Sequence, residues 1–563
     1  MLAGCTPWPQ EFQRRYRAAG YWQDITLWQM FEESAARTPD NIAVVFENRR
    51  LTYRELEQCI NRLAHKFAER GLKNRDRVIF QLTNSLEFIY AFFALIKIGI
   101  VPVMALPAHR RTEISHFVQH SEAVGYLIPD QVRGFDYREL AADIAGVFPD
   151  LQHIIVAGSA NEGQVSITDL LAGTDEAGSE NQADQGDPAD VALMLLSGGT
   201  TAMPKLIPRT HNDYVYNCRQ SGVVSAIDAD TVFLALLPMA HNYNLGCPGV
   251  LTTLASGGRV VIAAGTDPEQ VFPLIARERV SFISSAVPLL TKWLTSEVPE
   301  RYDLSSIKNI MNGGAKLAPE LRRRVQQMFG CVFQESFGTG EGLLNTTRLD
   351  DDDDVILHSS GKPISPGDEI KIVDENGGEV ADGATGELIC RGPYTIRGYY
   401  RAPETNATAF TRDGFYHTGD LVSRRGGYLY VEGRIKDLIN RGGEKISIDE
   451  VENHILADDR VENVCIVAMP DQHYGEKACA FVRLKDGQSL TFDELTAFLL
   501  DRGIAKFKLP ERLEIIANFP LSPAGKILRQ ELRRIIEETL ADESDPRPKK
   551  GSKTLTTYNP MKL

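Results

Sequence analysis

Val191-Ala-Leu-Met-Leu-Leu-Ser-Gly-Gly-Thr-Thr-Ala-Met-Pro-Lys205 is an apolar run that stops abruptly in small and hydroxylated residues and one lysine. An apolar run bounded in this way reads as a buried strand. The loop after it lets backbone N–H groups approach phosphate oxygens, while hydroxyls and the lysine add further contacts. The GxxxxGK[ST] spacing is missing, so this is not a Walker A sequence. Taken alone, such a loop is an ordinary turn, and its meaning comes from what surrounds it.

Outward from this loop the chain alternates strand and helix patterns. Thr52-Tyr-Arg-Glu55 predicts a capping box opening a helix. Leu56, Ile60, Leu63 and Phe67 share one face of that helix, and Gly71 is placed to end it. Arg77-Val-Ile-Phe-Gln-Leu and Arg259-Val-Val-Ile-Ala-Ala read as strands, and the alternation predicts α/β layering. The apolar stretch Phe88 to Leu106 is broken by Lys97, Gly99 and Pro102, which predicts a helix and a buried strand rather than a membrane span. Residues 173–189 read as a surface loop, and Asp350 to Asp354 as a solvated acidic loop, because consecutive residues cannot converge on one metal ion. After about residue 435 the pattern becomes a smaller α+β unit. Ile448 to Leu456 reads as a helix, Val464-Cys-Ile-Val-Ala and Cys479-Ala-Phe-Val-Arg as strands, and Thr491-Phe-Asp-Glu494 as a helix cap. From Asp542 the chain is polar and rich in Lys and Pro, and reads as a disordered tail.

A chain of 563 residues is too long for one core, so two or more domains are expected. The net charge of −15 argues against a generally cationic surface for nucleic acid or anionic membrane, though a local basic patch could still hold phosphates. The eight cysteines show no CxxC or Cys/His clustering, which disfavours a zinc site or a disulfide framework and fits a reducing cytoplasm. Leu2-Ala3-Gly4-Cys5 has no apolar segment before it and is not read as a processing site.

Further motifs follow the loop in order: Phe337-Gly-Thr-Gly-Glu341, Tyr416-His-Thr-Gly-Asp420, Gly433-Arg-Ile-Lys-Asp437 and Pro520-Leu-Ser-Pro-Ala-Gly-Lys526. Together they resemble the acyl-adenylate-forming superfamily. The resemblance implies an α/β fold with a large multi-subdomain N-terminal adenylation domain over residues 1–435. It also implies a small mobile α+β domain over 436–541, followed by the tail, 542–563. ATP and Mg²⁺ are the implied cofactors. Ser197, Gly198, Thr200, Thr201, Lys205, Gly314, Phe337, Asp420 and Arg434 would hold the nucleotide, and Glu341 the Mg²⁺, since a hard cation prefers carboxylate oxygen. Phe337 would stack on the adenine, while Asp420, in a tight Thr-Gly-Asp turn, would accept both ribose hydroxyls. Lys526 would bridge the substrate carboxylate and the α-phosphate. Lys436 would be the hinge about which the small domain turns, and Gly442 and Gly443 would line a tunnel for an incoming thiol. The same motifs argue against a relative that only binds nucleotide.

His241-Asn-Tyr-Asn-Leu-Gly-Cys-Pro-Gly249 separates subfamilies. It resembles the stand-alone aryl-acid adenylating enzymes that start catecholate and phenolate siderophores. Similar surroundings include Lys205-Leu-Ile-Pro-Arg-Thr-His211, Asn312-Gly-Gly-Ala-Lys316 and Arg391-Gly-Pro-Tyr394. By this resemblance Asn242 contacts the ring hydroxyl ortho to the carboxylate, Tyr243 packs on the ring, and His241 lies near carboxylate and phosphate. Gly313, Ser336, Cys247 and Leu344 complete the pocket. The Cys247 position is commonly Ser in 2,3-dihydroxybenzoate enzymes and Cys in salicylate enzymes. A thiol is the weaker and bulkier hydrogen-bonding partner, and Leu344 in place of Val narrows the pocket, so salicylate is the expected acid. Ala202 in place of Gly, Ser336 in place of an apolar residue, and Thr339-Gly340 in place of Met-Ala depart from the pattern. They keep 2,3-dihydroxybenzoate, a benzoate-like acid or 3-hydroxypicolinate as alternatives, with CoA as an alternative acceptor. No carrier motif follows residue 530, so the expected acceptor is a separate phosphopantetheinylated aryl carrier protein, with neither nucleic acid nor membrane as a partner.

Overall fold

The capping signals are realised as local hydrogen bonds. The Thr52 hydroxyl accepts the Glu55 N–H, and the Glu55 carboxylate accepts the Thr52 N–H at 2.8 Å, opening the helix Tyr53–Glu69. Its buried face is Leu56, Ile60, Leu63, Ala64 and Phe67, and Gly71 follows the helix at φ +88°, a conformation that glycine adopts without a Cβ penalty. The computed structural model describes residues 1–544 apart from 173–185, 198–202, 316, 436–437, 442–443, 472–473, 503, 505 and 523–525.

Among the described residues the large N-terminal part is built on three principal sheets. A nine-stranded sheet runs in the order Lys362–Pro363, Gly342–Thr346, Val332–Thr339, Asn309–Gly313, Phe282–Ser285, Val232–Ala235, Arg259–Ile262, Ile42–Phe46 and Arg49–Thr52. A seven-stranded sheet runs Leu206–Thr210, Val191–Leu196, Val101–Met104, Arg77–Phe80, Gly125–Pro129, His153–Ala157 and Val165–Ser166. A four-stranded antiparallel sheet runs Glu369–Val373, Gly386–Arg391, Tyr416–Arg425 and Tyr428–Arg434. The helix Leu86–Lys97 is buried along nearly its whole length, and its cluster of apolar residues runs on through both larger sheets. Lys97 and Gly99 end that helix ahead of the strand Val101–Met104. No helix among the described residues is long and apolar enough to cross a membrane.

Strands Val232–Ala235, Phe282–Ser285, Asn309–Gly313 and Val332–Thr339 pair in parallel, so their C-terminal ends open on one edge. Ligands bind in the crevice outside the C-terminal ends of parallel strands. Gly313 and Ser336, paired across two of those strands, both lie at that edge.

The smaller C-terminal unit holds a five-stranded sheet formed by Glu444–Ser447, Leu438–Arg441, Gly475–Leu484, Val461–Asp471 and Arg512–Ile515. Helices Ile448–Ile455 and Phe492–Asp501 pack on it, the second opened by the expected Thr491–Glu494 capping box. This mixed α/β architecture, large unit first and small unit second, agrees with the sequence reading.

Two expectations are corrected. The acidic run is not a loop throughout: Asp353 and Asp354 form the first turn of the helix Asp353–His358, where carboxylates complement the helix dipole. Asp351 accepts the Arg348 N–H at 2.7 Å and the Tyr428 hydroxyl. The C-terminal helix Arg529–Ser544 continues through Asp542, so residues 542–544, expected to be tail, are helical. Leu532 and Ile536 bury that helix against Cys465, Val467, Cys479 and Phe481, and in its last turn Glu543 pairs with Arg512 at 2.8 Å. The reading of 173–185 as loop lies outside the described residues.

Candidate active site

The strand Val191–Leu196 turns back as Leu206–Thr210, with the small-residue loop between them. Ser197 N–H donates to the Lys205 carbonyl at 3.0 Å, and Lys205 N–H donates to Ser197 Oγ at 2.9 Å, closing the base of the loop. Gly198, Thr200, Thr201 and Ala202 lie outside the described residues. Lys205 places its ammonium 4.8 Å from the ring centroid of Tyr399, a cation–π contact. The Tyr399 hydroxyl in turn donates to Glu341 Oε1 at 2.7 Å and lies 3.2 Å from the Tyr416 hydroxyl. Glu341 is buried (7% exposed) in the turn after Val332–Thr339, which Ile396 N–H pins by donating to its carbonyl at 2.7 Å. Its other carboxylate oxygen accepts no hydrogen bond among the described residues, and a hard carboxylate oxygen of this kind would suit Mg²⁺. Phe337 is half-buried at the edge of the main core. Gly314 takes φ +86°, where a side chain would be strained.

Asp420 is almost wholly buried (2% exposed) in the strand Tyr416–Arg425, directly across from Arg434. Arg434 Nε donates to Oδ1 at 2.8 Å, whereas Oδ2 is buried without a hydrogen-bond partner among the described residues. Burial raises the carboxyl pKa and Arg434 opposes the rise. An orphaned acceptor of this kind is costly unless a ligand satisfies it, and a ribose hydroxyl has the right chemistry.

The small unit brings Lys526 to the same place. Ser522 N–H donates to the Lys526 carbonyl at 2.7 Å, and Lys526 N–H donates to Ser522 Oγ at 3.1 Å, so the two residues hold each other directly. Ser447 Oγ donates to the Glu432 carbonyl at 2.7 Å, a direct tie between the small and large units. Lys526 is exposed as a residue, but crowding of its ammonium and then the Arg434 charge lower its pKa, against the pull of Asp420. His241 faces the same lysine: crowding of its imidazole and then the Lys526 charge lower its pKa to about 4, so the ring is neutral at pH 7. Its Nδ1 accepts the Tyr243 N–H at 3.3 Å, which leaves the proton on Nε2 as a donor.

His241 caps the short helix Asn242–Gly246, and this turn carries the residues expected on the aryl side. Tyr243 donates its hydroxyl to the Met311 carbonyl at 3.0 Å and lays its ring on Gly313, where a Cβ would stand 2.7 Å from Cζ. Cys247 is buried (2% exposed) in one apolar cluster with Leu344, Tyr216, Ile364 and Tyr394, with Tyr243 packed on its margin. Burial pushes the Cys247 thiol up to about 11, so it stays protonated, while Asn217 offers an amide 3.4 Å from Sγ. Ser336 is buried opposite Gly313 and Thr346 and does not belong to that cluster. Lys436, Gly442 and Gly443 lie outside the described residues.

Several residues that organise this cleft carried no recognisable signal. Arg209 is fully buried: Nε pairs with Asp213 at 2.8 Å, Nη1 donates to the Gly340 carbonyl at 3.0 Å, and Nη2 to the Tyr394 carbonyl at 3.1 Å. One guanidinium thus ties the strand after the phosphate loop to the Glu341 turn and to the aryl cluster. Only the Arg209–Asp213 spacing of four residues was legible. The partners of Tyr399, Tyr394 and Tyr214 come from distant parts of the chain.

A family model described as AMP-binding enzyme matches residues 31–400, and one described as AMP-binding enzyme C-terminal domain matches residues 450–526. The chain is 46% identical to a 2,3-dihydroxybenzoate-AMP ligase of Bacillus subtilis, covering 96% of this chain and 99% of that one. It is 41% identical to the salicyl-AMP ligase / salicyl-S-ArCP synthetase of Mycobacterium tuberculosis, covering 95% and 94%. Among solved structures it resembles the apo structure of MbtA from Mycobacterium smegmatis, with a TM-score of 0.73, 40% identity and coverage of 94% of this chain and 99% of that one.

Proposed function

From the premise that this chain belongs to the AMP-binding enzyme family, we propose that it joins salicylate to AMP at the expense of ATP and passes the acyl group to the thiol of a separate aryl carrier protein. The observation that carries this reading is the convergence of Lys526, His241 and the Asp420–Arg434 pair beside the apolar cluster of Cys247, Leu344 and Tyr394. Relatives named as 2,3-dihydroxybenzoate-AMP ligases, and one named as a salicyl-AMP ligase / salicyl-S-ArCP synthetase, support the same chemistry.

In the first step a carboxylate oxygen of the acid attacks the α-phosphorus of ATP, the bond to the β-phosphate oxygen breaks, and pyrophosphate leaves. Two anions must approach, and Lys526 offsets their repulsion; a unit charge pair at 4 Å is worth about 4 kcal/mol at an effective dielectric of 20. The neutral His241 offers its Nε2–H to an oxygen of the reacting carboxylate or phosphate, without adding a second full charge beside Lys526. Asp420 accepts the ribose hydroxyls, using the oxygen that Arg434 leaves over. When bound at Glu341, Mg²⁺ would neutralise phosphate charge. In the second step the carrier's thiol sulfur attacks the acyl carbonyl, AMP leaves, and the thiol proton passes to solvent.

Cys247 and Leu344 favour the monohydroxy acid, because a thiol among apolar side chains offers a weak partner to a second ring hydroxyl. Acid-dependent exchange of pyrophosphate into ATP, run with salicylate, 2,3-dihydroxybenzoate, benzoate and 3-hydroxypicolinate, tests the reading. Salicylate is expected to rank first. Equal or better exchange with the dihydroxy acid would overturn the choice of acid, and no exchange with any of the four would overturn the reaction. Acyl transfer to a carrier protein rather than to free CoA is expected in the same preparation.

A further inference from the structure

The helix His211–Val224 sends Tyr214 into the floor of the aryl side, where the side chain is fully buried. Two contacts fix the ring. The Arg209 guanidinium lies 4.8 Å from its centroid, and Gly246 leaves room on the other side, since a Cβ there would come within 3.2 Å of Tyr214 Cε1 and Oη. The Tyr214 hydroxyl donates to Asn242 Oδ1 at 2.7 Å.

The direction of that hydrogen bond follows from the burial. Among the described residues the Tyr214 hydroxyl has no acceptor other than Asn242, and an O–H left without one in a buried site costs more than the bond itself returns. Burial also raises the phenol pKa far above its usual range, so the proton stays on oxygen. The amide of Asn242 is therefore held with its oxygen toward Tyr214. Its NH₂ end is left pointing away from Tyr214, and the amide lies close enough to Cys247 to oppose the rise of the thiol pKa.

We infer that Tyr214 is a positioning residue that locks the Asn242 amide with its N–H groups facing the bound acid, so that the enzyme selects aryl acids whose ortho substituent accepts a hydrogen bond. This rests on the aryl-acid reading above and on Asn242 being the neighbour of the ortho position. In an ortho-hydroxybenzoate the hydroxyl proton turns inward to the adjacent carboxylate, which leaves the oxygen as an acceptor for Asn242. An ortho-amino group presents N–H donors, and its nitrogen lone pair is drawn into the ring, so it meets Asn242 donor to donor. An unsubstituted benzoate leaves the Asn242 N–H groups unpaired. The chemical class selected is thus ortho-hydroxy over ortho-amino and over unsubstituted acids.

Pyrophosphate exchange with salicylate, anthranilate and benzoate, compared between the unmodified protein and Tyr214→Phe, tests this. The unmodified protein should favour salicylate over both others. In Tyr214→Phe the amide can turn over, so the preference for salicylate over anthranilate in kcat/KM should fall roughly five- to tenfold, the discrimination one net hydrogen bond supplies. The KM for ATP should stay within twofold, which a general loosening of the cleft would not allow. Asn242→Asp, which presents only acceptors, should move the same ratio further toward anthranilate, and it carries the test if the phenylalanine variant does not fold. An unchanged salicylate-to-anthranilate ratio in Tyr214→Phe, or in Asn242→Asp, would overturn the role of Tyr214. Loss of all salicylate-dependent exchange in the unmodified protein would instead overturn the reaction on which it rests.

Discussion

Replacing Asp420 with asparagine separates function from stability, because the two depend on opposite features of the same carboxylate. In the fold the group is 2% exposed and accepts from Arg434 at 2.8 Å, with its second oxygen buried and unpaired among the described residues. Its pKa is raised by burial. A carboxyl whose folded pKa exceeds its unfolded one is penalised when ionised at neutral pH, and that penalty grows as pH rises through the folded pKa. Asparagine removes the charge, keeps an oxygen for Arg434, and leaves behind an arginine that is 57% exposed and hydrated. The unfolding midpoint at pH 7.5 should therefore hold or rise. ATP binding should suffer, since a hydroxyl donating to a carboxylate is worth about 1.5–3 kcal/mol, and losing one such bond raises the KM for ATP about 10- to 150-fold. The assay is pyrophosphate exchange at saturating acid with ATP varied, alongside thermal unfolding. An unchanged KM for ATP, or a collapse in stability with the KM intact, would refute the assignment of the free oxygen to the nucleotide.

Lys526→Ala should slow adenylation on the order of 10²–10³ while leaving the unfolding midpoint in place, because the residue is exposed and its loop is closed by backbone and Ser522 contacts. Transfer of the acyl group from supplied aryl-AMP should be far less affected, and equal losses in both half-reactions would argue against the proposed role. Cys247→Ser places a hydroxyl near the Asn217 amide and should raise kcat/KM for 2,3-dihydroxybenzoate relative to salicylate by about tenfold, measured by competitive exchange. Burial lowers the pKa of His109 and of His211 to about 4, so the unfolded chain binds protons below about 6.5 that the folded chain refuses until about 4. Stability from these two groups is complete above pH 6.5 and is lost as pH falls toward 4, on the order of 3 kcal/mol each. The slope of the unfolding midpoint against pH over that window should flatten in a His109→Gln/His211→Gln variant.

Much of this molecule was legible because its signals are local. Thr52 with Glu55 and Thr491 with Glu494 cap their helices through atoms three residues apart, and each resulting bond is present. Gly71, Gly314 and Gly419 occupy backbone conformations that a side chain would strain, and the strand before the phosphate loop was marked by six apolar residues in a row. The ordered motifs carried the candidate site in the same way. The helix that absorbs Asp353 and Asp354, and the one that runs through Asp542, were not legible, because packing at Ile356 and Leu357 and at Leu532 and Ile536 decides those ends.

The chain's own order thus determined the layered α/β scheme, the enzyme family and the candidate site residues, since each is written in short runs whose geometry is set by nearest neighbours. Only the tertiary structure decided how those runs are held against each other. Arg209 reaches Gly340 across 131 residues and Tyr394 across 185, and Tyr214 orients Asn242 from 28 residues away. A guanidinium, a phenol and an amide look alike in any sequence. Their roles arise when burial removes water as a competing partner, so that each donor is committed to the acceptor the fold brings to it.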